Sequence, residues 1–159
     1  MLLALMRHGA YNDSPTAFQD TDRTLTEQGK KDTVYVGNML FDKGLHPSKI
    51  VSSGLTRARQ TAEIMAEVLS YTDPIEVTED LLPSASMQEM YETVLRFAAV
   101  EQLLMIGHMP SMGALAHALI SSAERVKTSM EKSEAIGIGL RLEAERLRGP
   151  MLWRVAPEY

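Results

Sequence analysis

Residues 1–6 read Met-Leu-Leu-Ala-Leu-Met, an unbroken apolar run that ends at Arg7 and His8. Six residues are too few for the core of a signal peptide or for a bilayer span. As a strand, the run is apolar on both faces and must be covered on both. That is the condition of a strand inside a parallel sheet with helices on each side. A chain that starts this way is constrained toward layered α/β architecture, and its later segments can be tested against that demand.

They agree with it. Thr24 and Thr26 compete as N-caps ahead of a helix that should run to about Lys43, with Gly44 placed to stop it. Residues 49–52 suit a second strand. From Leu55, the residues Ala58, Ala62, Met65, Ala66 and Leu69 form one face of a helix. Residues 74–77 suit a short strand, and Met87, Met90, Tyr91, Val94, Leu95 and Ala98 again fall at helical spacing. Residues 102–106 read as a buried strand, and Pro110 suits the first turn of the helix carrying Leu115 and Leu119. Residues 135–142 and 151–155 suit two closing strands, with residues 143–149 as the turn between them. The expected fold is a three-layer α/β/α domain over residues 1–159. Its central sheet has about six strands, mostly parallel, with a closing hairpin at the edge. Residues 10–25 form a long polar loop, a kind that often carries function.

Composition removes several chemistries. There are no cysteines, so disulfides, zinc–thiolate sites and cysteine nucleophiles are excluded. The net charge is −5, which argues against a general binder of nucleic acid or anionic membrane and requires any phosphate site to gather its positive charge locally. His8, His46, His108 and His117 show no metal-ligand spacing, and no metal or cofactor is expected. Gly29-Lys30 lacks the preceding glycine of a P-loop, and Gly137 and Gly139 do not make a dinucleotide loop. The expected location is the cytoplasm, and the expected state is a monomer.

In a parallel sheet, ligands bind beyond the carboxyl ends of the strands. Three segments leave those ends here: Arg7-His8-Gly9, Ser52-Ser53-Gly54-Leu55-Thr56-Arg57 and Gly107-His108-Met109-Pro110. Together they bring two arginines and two histidines to one edge. Arginine forks match phosphate oxygens and stay charged. Arg57 would also lie in the first turn of a helix, where free N–H groups favour an anion, with Ser52 or Ser53 available as the cap. A neutral imidazole can attack phosphorus, and a protonated one can hold phosphate oxygens. This set suffices for phosphoryl transfer without cysteine or metal. His46, ahead of a strand, belongs to the opposite edge. His117 and Arg59 read as surface residues, and the methionine-rich stripes read as core.

Four segments in order resemble the histidine phosphatase superfamily, also called phosphoglycerate-mutase-like: Leu5-Met6-Arg7-His8-Gly9, Leu25-Thr26-Glu27-Gln28-Gly29, Ser52 through Ala62, and Ile106-Gly107-His108-Met109-Pro110. Gly54 stands where that family usually has proline. The resemblance implies His8 as nucleophile and Arg7, Arg57 and His108 as phosphate ligands. The chain's size and its ending, Leu152-Trp153-Arg154-Val155-Ala156-Pro157, resemble the short SixA-type phosphohistidine phosphatases, which implies a phosphohistidine-containing signalling protein as partner.

One departure bears on the substrate. Larger members supply a carboxylic acid to the leaving oxygen from a Gly-x-x-Glu-Gly segment between the second arginine and the second histidine. Residues 78–86 here lack that pattern and offer only Glu79 and Asp80 as candidates. A missing acid penalises an alkyl phosphate more than a phosphohistidine, whose imidazole leaves easily. The alternatives are a small-molecule phosphomonoesterase of the same superfamily and a phosphoprotein-binding module without catalysis.

Overall fold

The structure is a computed structural model and describes residues 1–13, 22–121 and 126–158. Its central sheet has six strands in the order β3-β2-β4-β1-β5-β8. They are β1 (Leu2–Arg7), β2 (Lys49–Ser53), β3 (Glu76–Thr78), β4 (Gln102–Gly107), β5 (Ala135–Gly139) and β8 (Met151–Val155). The pairings β1–β4, β2–β4 and β2–β3 are parallel, and β5 and β8 close the sheet antiparallel. Among the described residues four α-helices accompany the sheet: α1 (Glu27–Asp42), α2 (Thr56–Val68), α3 (Met87–Arg96) and α4 (Ser111–Leu119).

The apolar run at the amino end behaves as its composition requires. Leu3, Ala4, Leu5 and Met6 are all fully buried. Leu3 and Leu5 face a core shared with α3 and α4, whereas Ala4 and Met6 face one shared with α1 and α2. Strand alternation thus sends one segment into two cores, and helices are needed on both sides of it.

Local signals account for the element ends. Thr26 caps α1 by accepting from the Gly29 N–H at 2.9 Å, so it takes the position for which Thr24 also competed. Gly44 leaves the helix at φ +89°, a conformation suited to glycine. Ser86 and Glu89 close a reciprocal capping box on α3. Gly137 lies under the Trp153 ring, where a Cβ would come within 2.3 Å of it.

Two expectations need correction. Residues 143–149 are not a simple turn. A second small sheet occupies that region, β6 (Arg141–Glu143) against β7 (Arg146–Arg148). Ala144 and Glu145 turn it at φ +46° and +66°, the left-handed pair that suits a tight hairpin. The hairpin is largely exposed, and only Leu147 is pulled into the core. Nor does either serine cap α2: Leu55 occupies the N-cap with no side-chain bond. Ser53, two residues ahead of the N-cap, accepts the Leu55 N–H, and Ser52 donates to the Ser53 carbonyl.

Among the described residues no helix is long and apolar enough to cross a membrane. Residues 14–21 of the expected long loop lie outside the described residues. Its neck is closed by pairing of Tyr11 with Leu25 and by the bond from Asn12 N–H to Thr24 O at 2.8 Å.

Candidate active site

The parallel register brings the histidines together. Arg7 pairs with Gly107 across β1 and β4, so His8 and His108 leave adjacent strands at the same level. The His8 N–H donates to the Gly107 carbonyl at 3.1 Å, and the two ring centroids lie 4.9 Å apart. Both residues are buried, at 3% and 2% exposure. β2 ends beside β4, and the turn after it delivers Arg57 to the first turn of α2. Arg57 is 5% exposed, and its guanidinium carbon sits 4.6 Å from the ring centroid of Tyr11. The Tyr11 ring in turn meets His8 edge-on at 5.2 Å.

The His8 tautomer follows from its partner. Nδ1 lies 2.8 Å from the Gly9 carbonyl oxygen, which can only accept, so Nδ1 carries the hydrogen and Nε2 keeps its lone pair. Burial lowers the pKa of His8 to about 4; the Gly9 bond opposes this, and the charges of Arg57, Arg7 and Lys132 add to it. The ring is therefore neutral near pH 7, the state in which an imidazole attacks phosphorus. His108 is held differently: its Nε2 lies 2.8 Å from the Ser53 hydroxyl.

A backbone frame fixes these groups. The Gly9 N–H donates to Thr61 Oγ1 at 3.0 Å, and Thr61 donates to the Arg57 carbonyl at 2.8 Å. One buried threonine thus ties the end of β1 to α2. A Cβ on Gly9 would lie 2.9 Å from Thr33 Oγ1 and 3.0 Å from Ser133 Oγ. A Cβ on Gly29 would lie 2.1 Å from the Ala10 carbonyl oxygen. The Leu-Thr-Glu-Gln-Gly segment therefore includes its glycine because α1 packs backbone to backbone on the residue after Gly9. Gly54 carries no such constraint, since a Cβ there would meet only a Val77 methyl at 3.5 Å.

The remaining wall comes from residues 127–134, for which the sequence offered no periodicity. Arg7 Nη1 donates to the Met130 carbonyl at 2.9 Å. Arg154, on β8, binds the Lys127 and Ser129 carbonyls and the buried carboxylate of Glu134. That carboxylate also accepts from the Glu131 N–H.

Arg7, His8, Arg57 and His108 are thus gathered at the edge where sheet topology places them. Glu79 and Asp80 follow β3, whose Thr78 pairs with Ser53, so they lie at the same edge. Asp80 accepts from Thr93 Oγ1 at 3.5 Å, and Glu79 is exposed. His46 precedes β2, exposed against Phe41, at the opposite edge. His117 is exposed on α4, and Arg59 is exposed on α2. Tyr11, Thr61, Ser133 and Lys132 carried no sequence signal. Only the four-residue spacing of Thr61 from Arg57 could have placed it on the same helix face.

Residues 3–83 match the family model of the histidine phosphatase superfamily, branch 1. An uncharacterized protein of Picosynechococcus sp. is 34% identical over 150 residues, covering 93% of this chain and 89% of that protein. The mitochondrial serine/threonine-protein phosphatase Pgam5 of Drosophila persimilis is 37% identical over 71 residues, 43% of this chain and 23% of that protein. The structure of the protein histidine phosphatase SixA complexed with tungstate matches with a TM-score of 0.87 at 24% identity, covering 99% of this chain and 97% of that one. A mycobacterial glucosyl-3-phosphoglycerate phosphatase in complex with VO3 matches with a TM-score of 0.71 at 18% identity, covering 94% and 96%. At these identities the two structures establish a shared fold.

Proposed function

This chain belongs to the histidine phosphatase superfamily, and from that membership we propose that it removes phosphate from a phosphohistidine-bearing protein by way of His8. The observation that carries the reading is the pairing of a neutral, Nδ1-protonated His8 with two arginines and a second histidine. In this reading Nε2 of His8 attacks phosphorus as the bond to the substrate nitrogen breaks. Electron donation leaves positive charge on the His8 ring, and the Gly9 carbonyl, accepting from Nδ1–H, is placed to stabilise it. Arg7, Arg57 and His108 hold the equatorial oxygens, where charge collects. The substrate imidazole, protonated on its other nitrogen, leaves neutral. Water then attacks the phosphoryl group on His8, yielding inorganic phosphate and a proton and restoring the starting tautomer.

No metal is required in this scheme, and the absence of a Gly-x-x-Glu-Gly acid segment favours the phosphohistidine over an alkyl phosphate. The SixA protein whose fold this chain shares is a protein histidine phosphatase, which supports the same substrate class. Incubation with a 32P-labelled phosphohistidine protein, followed by quenching, tests the proposal. We expect acid-labile, alkali-stable label on His8 and none on a His8→Ala variant. Equal turnover of a sugar phosphate and the phosphoprotein would overturn the substrate assignment.

A further inference from the structure

Residues 131–134 form a tight turn closed by the bond from Glu134 N–H to Glu131 O at 3.0 Å. Ser133, fully buried, sits at its third position with φ +64°, where glycine is the ordinary choice. A strained residue of this kind persists only where its surroundings over-determine it. Here they do: the Ser133 N–H donates to the His8 carbonyl at 3.1 Å, and its hydroxyl lies 3.0 Å from Thr33 Oγ1. Arg154 anchors Glu134 on the far side. The second position of this turn is Lys132. It is exposed, yet its ammonium lies 5.2 Å from the centroid of the Tyr11 ring, the ring that also carries Arg57 and touches His8.

We propose that Lys132 is a third cation of the phosphate pocket, delivered by this turn to take an oxygen of the incoming phosphoryl group, with Tyr11 as the positioning residue for both Lys132 and Arg57. The inference rests on the reading of His8 and its arginines as a phosphoryl site. Its logic is electrostatic. A phosphoryl dianion approaching a protein of net charge −5 gains from attraction beyond Arg7 and the buried Arg57. Release of an exposed lysine from an aromatic face costs little when an anion arrives.

Orthovanadate binding and substrate kinetics together test it. Lys132→Met keeps the stem and removes the charge. It should raise the vanadate Kd and lower kcat/KM by about five- to tenfold, the range of a charge-assisted contact at a solvent-facing site. It should also flatten the dependence of kcat/KM on ionic strength, which a purely structural role would leave unchanged. Lys132→Arg should restore most of the binding. Tyr11→Leu should weaken vanadate and raise KM, and the conservative Tyr11→Phe should rescue most of that loss, because the ring acts and not the hydroxyl. Lys43→Met, an exposed lysine at the far end of α1, serves as the charge control. Unchanged vanadate affinity in Lys132→Met, or an equal loss in Lys43→Met, overturns this inference alone. A wild-type protein that binds no vanadate overturns the phosphoryl-site reading and this inference with it.

Discussion

The hydroxyl of Ser53 lies 2.8 Å from Nε2 of His108 while accepting the Leu55 N–H at 3.2 Å. One buried oxygen thus serves both a ring and the backbone that leads into α2. Ser53→Ala should strand two buried polar groups at once. The expected loss is about 1–3 kcal/mol in unfolding free energy, read by urea denaturation. Phosphate release should fall roughly tenfold, because the bond that orients His108 is lost.

The state of His8 predicts an unusual pH dependence of stability. Its folded pKa, about 4, lies below the ordinary 6.5 of the unfolded chain. Between these values the unfolded state binds a proton that the folded state refuses, so stability rises with pH across that window and falls as pH drops from 6.5 toward 4. The shift is worth up to about 3 kcal/mol. His8→Asn should flatten that part of the stability curve and make the protein less acid-sensitive. An NMR titration should place the His8 midpoint near 4. A midpoint at 6.5 would contradict the burial argument.

Arg57→Lys keeps the charge and removes the fork. A compact ammonium cannot bind two phosphate oxygens side by side, so kcat/KM should drop about 100-fold with little change in melting temperature. Full activity in this variant would remove Arg57 from the phosphate site.

Gly29→Ala and Gly9→Ala should be graded in severity. At Gly29 the new methyl meets a carbonyl oxygen of the backbone at 2.1 Å, whereas at Gly9 it meets hydroxyls at 2.9 and 3.0 Å and a backbone carbonyl only at 3.1 Å. Overpacking costs typically about 1–3 kcal/mol, and the contact that cannot rotate away should cost more. Denaturant midpoints should therefore order as wild type, Gly9→Ala, then Gly29→Ala.

Arg154→Met should leave Glu134 buried without its ionic partner and release the wall formed by residues 127–134. Hydrogen exchange should quicken at those amides and stay slow in β1. Breaking a buried pair on one side costs about 3–5 kcal/mol, so the melting temperature should fall as well.

Much of this arrangement is legible in the sequence because it is periodic or lies at the end of a periodic element. Leu3 to Met6 announce a doubly covered strand, and the strand itself places His8 at an edge. His108 follows Ile106 and Gly107 for the same reason. Arg57 is found because a helix start is recognisable. Tyr11, Lys132 and Ser133 follow no period, since contacts across the fold hold them. Ser133 even adopts a backbone conformation that its residue type disfavours. The polar stretch around Ala144 reads as a turn because three-residue strands are too short to show alternation. Ser52 and Ser53 both read as candidate helix caps because spacing alone cannot tell a bond to the turn from a bond to the helix.

The ring separation of His8 and His108, 4.9 Å, is close to the distance between any two hydrogen-bonded strands, about 4.8 Å. Both rings are rooted one residue past a registered pair, Arg7 and Gly107. The peptide ladder therefore sets the backbone spacing of the two histidines, and the bonds of His8 to Gly9 and of His108 to Ser53 orient the rings from there. A slip of one residue between β1 and β4 would break that gauge and turn every core side chain of the strand to the wrong face, so the constraint that preserves the core also preserves the distance between the two imidazoles.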